Sequence, residues 1–318
     1  MSELHKFLFD GLPVRGVIVR LTDAWQEILK RRRTDDAHAT WPWPVTRLLG
    51  EMAAASTLMQ ANIKFNGALI MQIFGEGPVK VAVAEVQQDL SLRVTAKVVG
   101  EVAADAHLQQ LVNIHGRGRC AITLDPKDRL PGQQAYQGVV PLNASHAGGQ
   151  PQLSDVLEHY MRQSEQLDTR LVLAADEKVA AGLLIQRLPA EGDANLKGME
   201  VEDQMEHFNR IATLAGSLTS DELLQLDVET ILRRLFWQEK ILRFDPHTPR
   251  FACTCSRERV AGMIRGLGQE EADSILEERG DIDVSCDFCG QHYRFDAVDA
   301  AQIFMAPGDR PPPTSTVQ

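Results

Sequence analysis

The chain lacks most of the features that would assign it to a membrane, a secretory pathway or a nucleic acid. No apolar run approaches the roughly 20 residues that a membrane-spanning helix needs. The stretch from Met1 to Asp10 has neither the apolar core nor the cleavage motif of a signal peptide. Basic residues are outnumbered 33 to 44, and the net charge of −11 disfavours nonspecific binding to nucleic acid or anionic membranes. With 318 residues, 44% of them hydrophobic and 24% charged, we expect a soluble globular protein of two or three domains.

Cysteine is scarce as well, since the chain has five. Without a secretory signal, so few cysteines indicate a reducing compartment, where clustered thiols are more often metal ligands than structural disulfides. Cys120 stands apart within a predicted strand, and we interpret it as a small buried apolar residue. The other four lie together near the end of the chain.

These four cysteines form two close pairs, Cys253-Thr-Cys255 and Cys286-Asp-Phe-Cys289. Two thiol pairs at that separation suit one tetrahedral zinc ion, because each pair supplies two of its four ligands. Gly290 strengthens the interpretation, since a metal-binding turn needs a residue that adopts positive φ just after the second sulfur. The simplest role for such an ion is to hold a small domain together. His292 lies close to the turn as a conceivable spare ligand, but four thiolates already complete the tetrahedron.

The same spacing also permits redox chemistry. A Cys-x-x-Cys pair can close into a disulfide, whereas a Cys-x-Cys disulfide closes a tight ring, and strained disulfides are easily reduced again. Structural zinc contributes roughly 10–16 kcal/mol to the folding of small domains. That is comparable to or greater than the total stability of a typical domain, about 5–15 kcal/mol. Oxidation that released the ion would therefore unfold the zinc-binding domain.

Residues 1–190 are predicted to form one α+β domain, because strands predominate and helices are inserted irregularly. A short helix is expected over Asp23–Lys30 and a long one, rich in Ala, Leu and Met, over Val45–Ile63. Apolar residues at helical spacing predict a further helix over Leu153–Gln166. The predicted strands are Val14–Leu21, Ala68–Phe74, Val79–Val86, Leu90–Val99, Arg119–Leu124, Tyr136–Leu142, Thr169–Ala175 and Ala180–Leu188.

The character of the chain changes at Pro189, and residues 191–245 are predicted to form a helical linker region that starts with a polar stretch. Its second and third helices have good N-terminal caps in Thr219 and Asp227. The predicted helices are Val201–Leu218, Ser220–Leu226 and Val228–Glu239. Their apolar positions, which need a partner surface, include Met205, Phe208, Ile211, Leu214, Ile231, Leu232, Leu235 and Phe236. Either these helices pack between domains in the ordinary way, or their apolar faces are covered only while the zinc-binding domain is folded.

Residues 246–305 are predicted to be the zinc-binding domain. Ser256 and Asp296 are suited to cap helices, and a further helix is expected over Glu270–Glu278. Two short strands are expected on either side of the Cys-x-x-Cys turn, over Ile282–Val284 and Tyr293–Phe295. The tail, residues 306–318, is rich in Pro and Thr and is expected to be disordered.

Taken together, these segments resemble the 33 kDa chaperonins, the family of redox-regulated heat-shock chaperones. The resemblance covers nearly the whole chain, and the two cysteine motifs are its most specific part. The segment Lys30–Pro44 looks longer than usual, and the Pro-rich tail is an addition. The segments that carry the resemblance are Leu48–Met52, Lys64–Gly67, Gly75–Pro78, Tyr136–Val139, Gln163–Gln166, Gly182–Gln186, Cys253–Arg259 and Cys286–Gly290.

The resemblance implies a cytoplasmic, ATP-independent chaperone that holds unfolding proteins and prevents their aggregation under oxidative and heat stress. In the reduced, inactive state of such proteins four cysteines bind one zinc ion. On this chain the ligands would be Cys253, Cys255, Cys286 and Cys289. Oxidation would then form two disulfides, Cys253–Cys255 and Cys286–Cys289, and release the zinc. The linker region would become disordered and bind unfolded clients, often as a homodimer, so we expect clients as partners and neither nucleic acid nor membrane.

Two other functions compete with this one: a zinc-ribbon nucleic-acid-binding protein and a thiol–disulfide oxidoreductase. Against the first, residues 246–300 hold 6 Lys and Arg against 11 Asp and Glu, whereas a nucleic-acid-binding face should be basic. Against the second, Cys289 is followed by Gly290 and a predicted strand, whereas redox motifs usually open a helix whose dipole lowers the pKa of the first thiol. No other catalytic motif stands out, and we do not expect an enzyme.

Overall fold

The computed structural model of the protein describes residues 1–33, 40–128, 132, 134–143, 150–188 and 201–305. The described residues fall into two compact units, the first ending at Ala252 and the second beginning at Cys253. The polar stretch that opens the predicted linker, residues 191–198, and the predicted disordered tail, residues 306–318, lie outside the described residues.

Two sheets form the frame of the first unit. Their strands are β1 (Glu3–Phe9), β2 (Val14–Leu21), β3 (Gly67–Phe74), β4 (Val79–Gln87), β5 (Ser91–Val98), β6 (Arg119–Pro126), β7 (Tyr136–Pro141), β8 (Thr169–Ala175), β9 (Ala180–Arg187), β10 (Ile241–Arg243) and β11 (Arg250–Phe251). Among the described residues, one sheet has the strand order β10-β1-β2-β9-β8 and the other the order β11-β5-β4-β3-β6-β7. Neighbouring strands are antiparallel, except that β11 runs parallel to β5.

A long helix lies at the centre of the larger core. The helices of the first unit are α1 (Asp23–Arg33), α2 (Trp43–Asn62), α3 (Leu108–Val112), α4 (Leu153–Ser164), α5 (Val201–Gly216), α6 (Ser220–Gln225) and α7 (Val228–Phe236). Helix α2 contacts β2, β8 and β9 of one sheet and β3, β4 and β5 of the other. Its Leu49, Met52 and Ala53 are fully buried. A helix that is apolar on nearly all sides is stable only when it is enclosed in this way, and the predicted α+β class is confirmed.

Most predicted elements of this unit are present, with ends shifted by one to three residues. Helix α2 begins at Trp43 instead of Val45, with a proline in its first turn, where a missing N–H costs nothing. Strand β1 was missed, although it pairs along almost its whole length with β2. The short strands β10 and β11 were missed too, because two or three residues carry no periodicity that a sequence can display.

The apolar faces of α5, α6 and α7 pack on the five-stranded sheet of the first unit. Phe208, Ile211, Ile231 and Phe236 join one buried cluster with side chains of β1, β2, β8 and β9. The predicted apolar faces are therefore covered by a sheet of the first unit. One residue was wrongly predicted, because Leu214 is 36% exposed.

The predicted helix caps of this region are confirmed. Thr219 and Glu222 form the capping box of α6, and the Asp227 side chain accepts a hydrogen bond from the backbone N–H of Thr230 at the start of α7.

The second unit contains α8 (Arg257–Leu267), α9 (Gln269–Arg279), the antiparallel pair β12 (Ile282–Ser285) and β13 (His292–Phe295), and α10 (Ala297–Phe304). Its small core includes Val260, Ile264, Phe295 and Ile303. Ser256 and Asp296 cap α8 and α10 as predicted, each accepting a hydrogen bond from a backbone N–H of the first turn. A core of this size buries little apolar surface, so an additional source of stability is expected.

Candidate metal centre

The two predicted cysteine pairs come together at one point of the second unit. Cys253 and Cys255 lie in the extended segment just before α8, and Cys286 and Cys289 lie in the turn between β12 and β13. All four sulfur atoms are within 4.8 Å of one another. The Sγ atoms of Cys253 and Cys286 are 3.7 Å apart, and those of Cys255 and Cys289 are 3.4 Å apart.

This geometry fits a four-coordinate metal ion. A zinc–sulfur bond of about 2.3 Å places the sulfurs of a regular tetrahedron about 3.8 Å apart. The Cys253–Cys286 and Cys255–Cys289 distances, 3.7 and 3.4 Å, are slightly below that value, and all four sulfurs lie within 4.8 Å of one another, so small side-chain rotations would bring them to one ion. A donor set of four sulfurs favours thiophilic ions such as zinc and disfavours magnesium and calcium, which prefer oxygen.

The turn that holds Cys286 and Cys289 has the conformation that the sequence predicted. Gly290 has φ of 69°, in the left-handed region that favours glycine. The Cys286 carbonyl accepts hydrogen bonds from the backbone N–H groups of Cys289, at 3.2 Å, and Gly290, at 2.8 Å. The Cys286 N–H donates in turn to the Gln291 carbonyl at 3.0 Å. These bonds fix the two sulfurs on the same side of the turn.

The electrostatics of the cluster call for a cation. The hydrogen bond to the neighbouring Cys253 thiol, together with burial, raises the pKa of Cys286, although the backbone N–H groups of Phe288 and Cys289 act in the opposite direction. Burial is the main reason that the pKa of Cys289 rises to about 11. Four thiolates this close would repel one another strongly, so without a cation the thiols stay protonated. A metal ion bound between them would lower their pKa values and stabilise the thiolate form.

Tyr293 is a contributor that the sequence analysis missed. It lies on β13, and its hydroxyl donates a hydrogen bond to the Cys255 sulfur at 3.1 Å. The same contact raises the pKa of Tyr293, because a thiolate acceptor favours the protonated phenol. Cys255 and Tyr293 are 38 residues apart, and the tertiary fold of the second unit brings them together.

Replacing Tyr293 with phenylalanine is expected to weaken zinc binding by about tenfold or more, because partners that donate to ligating atoms commonly contribute that much to metal affinity. Competition with a chromophoric chelator at neutral pH measures the change. Tyr136→Phe, a half-exposed tyrosine on β7, is the matched control and should leave the affinity unchanged. Equal affinities for wild type and Tyr293→Phe would show that the hydroxyl does not support the site.

The remaining candidates lie outside the cluster. His292 bonds through Nδ1 to Asp283 at 3.1 Å, and within the described residues the group that could hold a metal ion consists of the four cysteines. Cys120 is fully buried in β6, as predicted, and burial raises its pKa to about 12. A thiol so placed stays protonated and unreactive at neutral pH. Across the described residues, no helix combines the length and the apolarity needed to cross a membrane.

Fold and site together define a class: an α+β protein whose second unit contains a four-cysteine cluster that could hold a metal ion. A sequence model of the family described as Hsp33 protein matches residues 2–296. The 33 kDa chaperonin of Chromobacterium violaceum is 43% identical over 304 residues, which are 95% of this chain and 94% of that protein. The 33 kDa chaperonin of Methylobacillus flagellatus is 42% identical over the same shares of both chains.

A solved structure agrees with these sequence matches. The crystal structure of the 33 kDa chaperonin of Thermotoga maritima superposes with a TM-score of 0.72 over 95% of this chain and 97% of that chain. At 18% identity this likeness supports the fold. The chain belongs to the Hsp33 family and is a chaperone of that family, as the sequence resemblance predicted.

Proposed function

We propose that this chain is a redox-regulated, ATP-independent holdase that binds unfolding proteins when it is oxidised. The convergence of four cysteine sulfurs in one small unit is the observation that carries the proposal. In the reduced state Cys253, Cys255, Cys286 and Cys289 hold one zinc ion, and the protein is inactive. The ion supplies the folding energy that the small core of the second unit lacks.

Oxidation removes the ion and its ligands together. Two molecules of peroxide take four electrons from the four thiolates. Two sulfur–sulfur bonds form, Cys253–Cys255 and Cys286–Cys289, and both peroxide O–O bonds break. Four protons from solvent complete four molecules of water, and zinc leaves as Zn²⁺. The sulfur contacts of the reduced site run between the pairs, from Cys253 to Cys286 and from Cys255 to Cys289. Local disulfides therefore require each pair to leave the shared centre, which favours unfolding of the second unit.

We assign one role to each of the three predicted parts of the chain. Residues 1–190 form the chaperone core, residues 191–245 the client-binding linker region, and residues 246–305 the redox switch. Support for the linker assignment comes from the apolar cluster beneath α5–α7, where the Phe9 and Phe236 rings meet edge to face with their centroids 5.0 Å apart. Separation of those helices from the sheet would expose apolar surface on both sides, and such surface binds unfolded polypeptides without regard to sequence.

The remaining expectations follow from the same mechanism. The protein acts in the cytoplasm, becomes a homodimer when oxidised, and binds neither nucleic acid nor membrane. It is not an enzyme. One observation favours a chaperone without catalytic activity over a disulfide oxidoreductase. The Cys286–Cys289 turn joins two strands, so neither thiol lies at a helix N-terminus that would make it a good attacking nucleophile.

Light scattering of a chemically denatured client, diluted into buffer, tests the proposal. Protein treated with peroxide at elevated temperature should suppress most of the scattering at a small molar excess, whereas reduced protein should suppress little. Incubation with a thiol reductant and zinc should return the oxidised sample to the inactive state. Suppression that is equally strong in both redox states would contradict redox control, and no suppression in either would contradict holdase activity.

A further inference from the structure

The outer edge of β1 is covered by a short segment whose two strands join different sheets of the first unit. We call residues 240–252 the guard segment; it includes β10 and β11 and ends directly before Cys253. Strand β10 pairs antiparallel with β1, and an isolated bridge extends the pairing to His247. The backbone bonds are Asp10 N–H to Lys240 C=O at 2.8 Å, Phe244 N–H to Lys6 C=O at 3.1 Å, and a reciprocal pair between Leu4 and His247 at 2.9 Å each.

Besides these backbone bonds, ion pairs from Lys240 to Asp10, from Arg243 to Glu229 and from Arg250 to Asp89 hold the guard segment, but its strand β10 buries little side-chain surface. Residues 242–248 are all exposed, and Leu242 and Phe244 are 44% and 53% exposed. In the β1–β10 register Arg243 lies opposite Phe7, a position at which an apolar side chain would contact a buried ring. A strand that buries so little apolar surface is among the first parts of a fold to open.

Both ends of the guard segment are tied to elements that the proposed switch would disturb. Upstream, it follows α7, whose Ile231 and Phe236 pack on the five-stranded sheet. Downstream, β11 pairs with β5 through two hydrogen bonds, Arg250 N–H to Leu90 C=O at 3.3 Å and Ala252 N–H to Leu92 C=O at 3.1 Å. The next residue is Cys253, so displacement of that cysteine on oxidation would disturb the pairing of β11 with β5.

We propose that the outer edge of β1 is a docking site for an extended segment of an unfolded client, which adds to the sheet as a strand in place of the guard segment. The inference rests on the proposed function, since it requires the guard segment to leave after oxidation. An open strand edge presents a row of unpaired N–H and C=O groups, which accept any polypeptide backbone. Such recognition does not depend on client sequence, as a holdase requires.

The site also defines which client segments it prefers. Phe7 and Phe9 point to the side of the sheet that α5–α7 cover, and the guard segment places Arg243 and Ile241 opposite them. A client strand with apolar residues at both positions would place an apolar side chain against each of the two aromatic rings. The guard segment places one against Phe9 only, through Ile241. Extended segments with alternating β-branched or aromatic residues are therefore the favoured occupants.

A peptide pair tests the proposal on oxidised wild-type protein. The probe is a peptide of about ten residues, a typical strand length at the upper end, that alternates valine with threonine or lysine. Its partner has identical side chains but N-methyl groups on every second residue, which removes alternate backbone donors. We expect the methylated peptide to bind at least about tenfold more weakly. Equal binding would overturn the proposal, because side-chain contacts would then suffice.

A pair of variants tests it in reduced protein. Leu242 lies opposite Leu8 of β1. Because hydrogen-bonded pairs alternate along an antiparallel ladder, the Leu242 N–H donates to the Leu8 carbonyl. Leu242→Pro removes this donor, whereas Leu242→Ala removes the exposed side chain and keeps the donor. With zinc still bound, reduced Leu242→Pro should bind the unmethylated peptide at least about fivefold more tightly than reduced Leu242→Ala. Equal binding by two folded, zinc-loaded variants would contradict the guard role.

Hydrogen exchange on oxidised wild type identifies the occupant. The amides of Leu4, Lys6, Leu8 and Asp10, which face the guard segment, should lose protection on oxidation and regain it when the peptide is bound, whereas the amides of His5, Phe7 and Phe9, which face β2, should stay protected. If the four amides that face the guard segment regain protection without peptide, as the protein dimerises, a second copy occupies the edge and the client assignment is wrong. If oxidised protein suppresses client aggregation while these four amides stay unprotected with the peptide bound, the edge proposal fails and the proposed function stands. If oxidised protein suppresses no aggregation, both fail together.

Discussion

Cys286→Ser is expected to abolish tight zinc binding and to leave residues 253–305 unfolded in the reduced protein. Cys286 lies at the start of the β12–β13 turn, 3.7 Å from Cys253, and contributes one of four sulfurs within 4.8 Å of one another. A neutral serine hydroxyl is a poor ligand for zinc at neutral pH, so at least about a hundredfold loss of affinity is expected. Since structural zinc contributes roughly 10–16 kcal/mol to such domains, we expect the second unit to stay unfolded without it.

Zinc content after dialysis, together with proteolysis of the second unit, measures this effect. Cys120→Ala is the matched control, because it removes the cysteine buried in β6 of the first unit and leaves the four-sulfur cluster intact. The control should retain one zinc per chain and a protected second unit. A Cys286→Ser protein that kept its zinc, or that stayed folded after losing it, would show that the ion is not what stabilises the unit.

Ile231→Asp is expected to switch the chaperone on without oxidation. Ile231 is fully buried in α7, in the cluster that joins this helix to the five-stranded sheet. Removal of a buried isoleucine costs about 2–5 kcal/mol, and placing a carboxylate in its position adds the cost of burying a charge. The total is a large part of a typical domain's stability, so α7 should separate from the sheet and expose the apolar surface.

Light scattering with a denatured client, carried out on reduced protein with zinc bound, measures the result. Gln238→Asp introduces the same charge at an exposed position just beyond α7 and should leave the reduced protein inactive. Zinc content distinguishes this activation from loss of the metal, because Ile231→Asp leaves all four cysteines in place. An Ile231→Asp protein that is folded, zinc-loaded and as inactive as wild type would contradict the assignment of this surface to client binding.

The parts of the structure that depend on near neighbours in sequence were predictable. The turn that ends at Gly290 and the caps at Thr219, Asp227, Ser256 and Asp296 each involve residues within a few positions of one another. Their chemistry is therefore complete within a short stretch of chain. Helix α2 was equally clear, because 20 residues with apolar side chains on nearly every face leave few alternatives.

The parts that depend on distant partners were not predictable in this way. Tyr293 is an ordinary strand residue until the fold of the second unit brings its hydroxyl to Cys255. The surface beneath α7 illustrates the same limit, because periodicity identifies an apolar face but not the sheet that covers it. Strand β10 has three residues and acquires its role through its register with β1. Such features need tertiary structure, since no local pattern encodes them.

Zinc release and thiol loss, measured in one sample during peroxide treatment at elevated temperature, test whether the four cysteines act as both metal ligands and redox switch. We predict that one zinc ion leaves per chain as four thiols disappear, while the buried Cys120 thiol stays reduced. Peptide mapping should then recover Cys253–Cys255 and Cys286–Cys289 as the disulfides. Zinc that stays bound after the four thiols are oxidised, or reduced protein that holds no metal, would contradict redox control through this cluster.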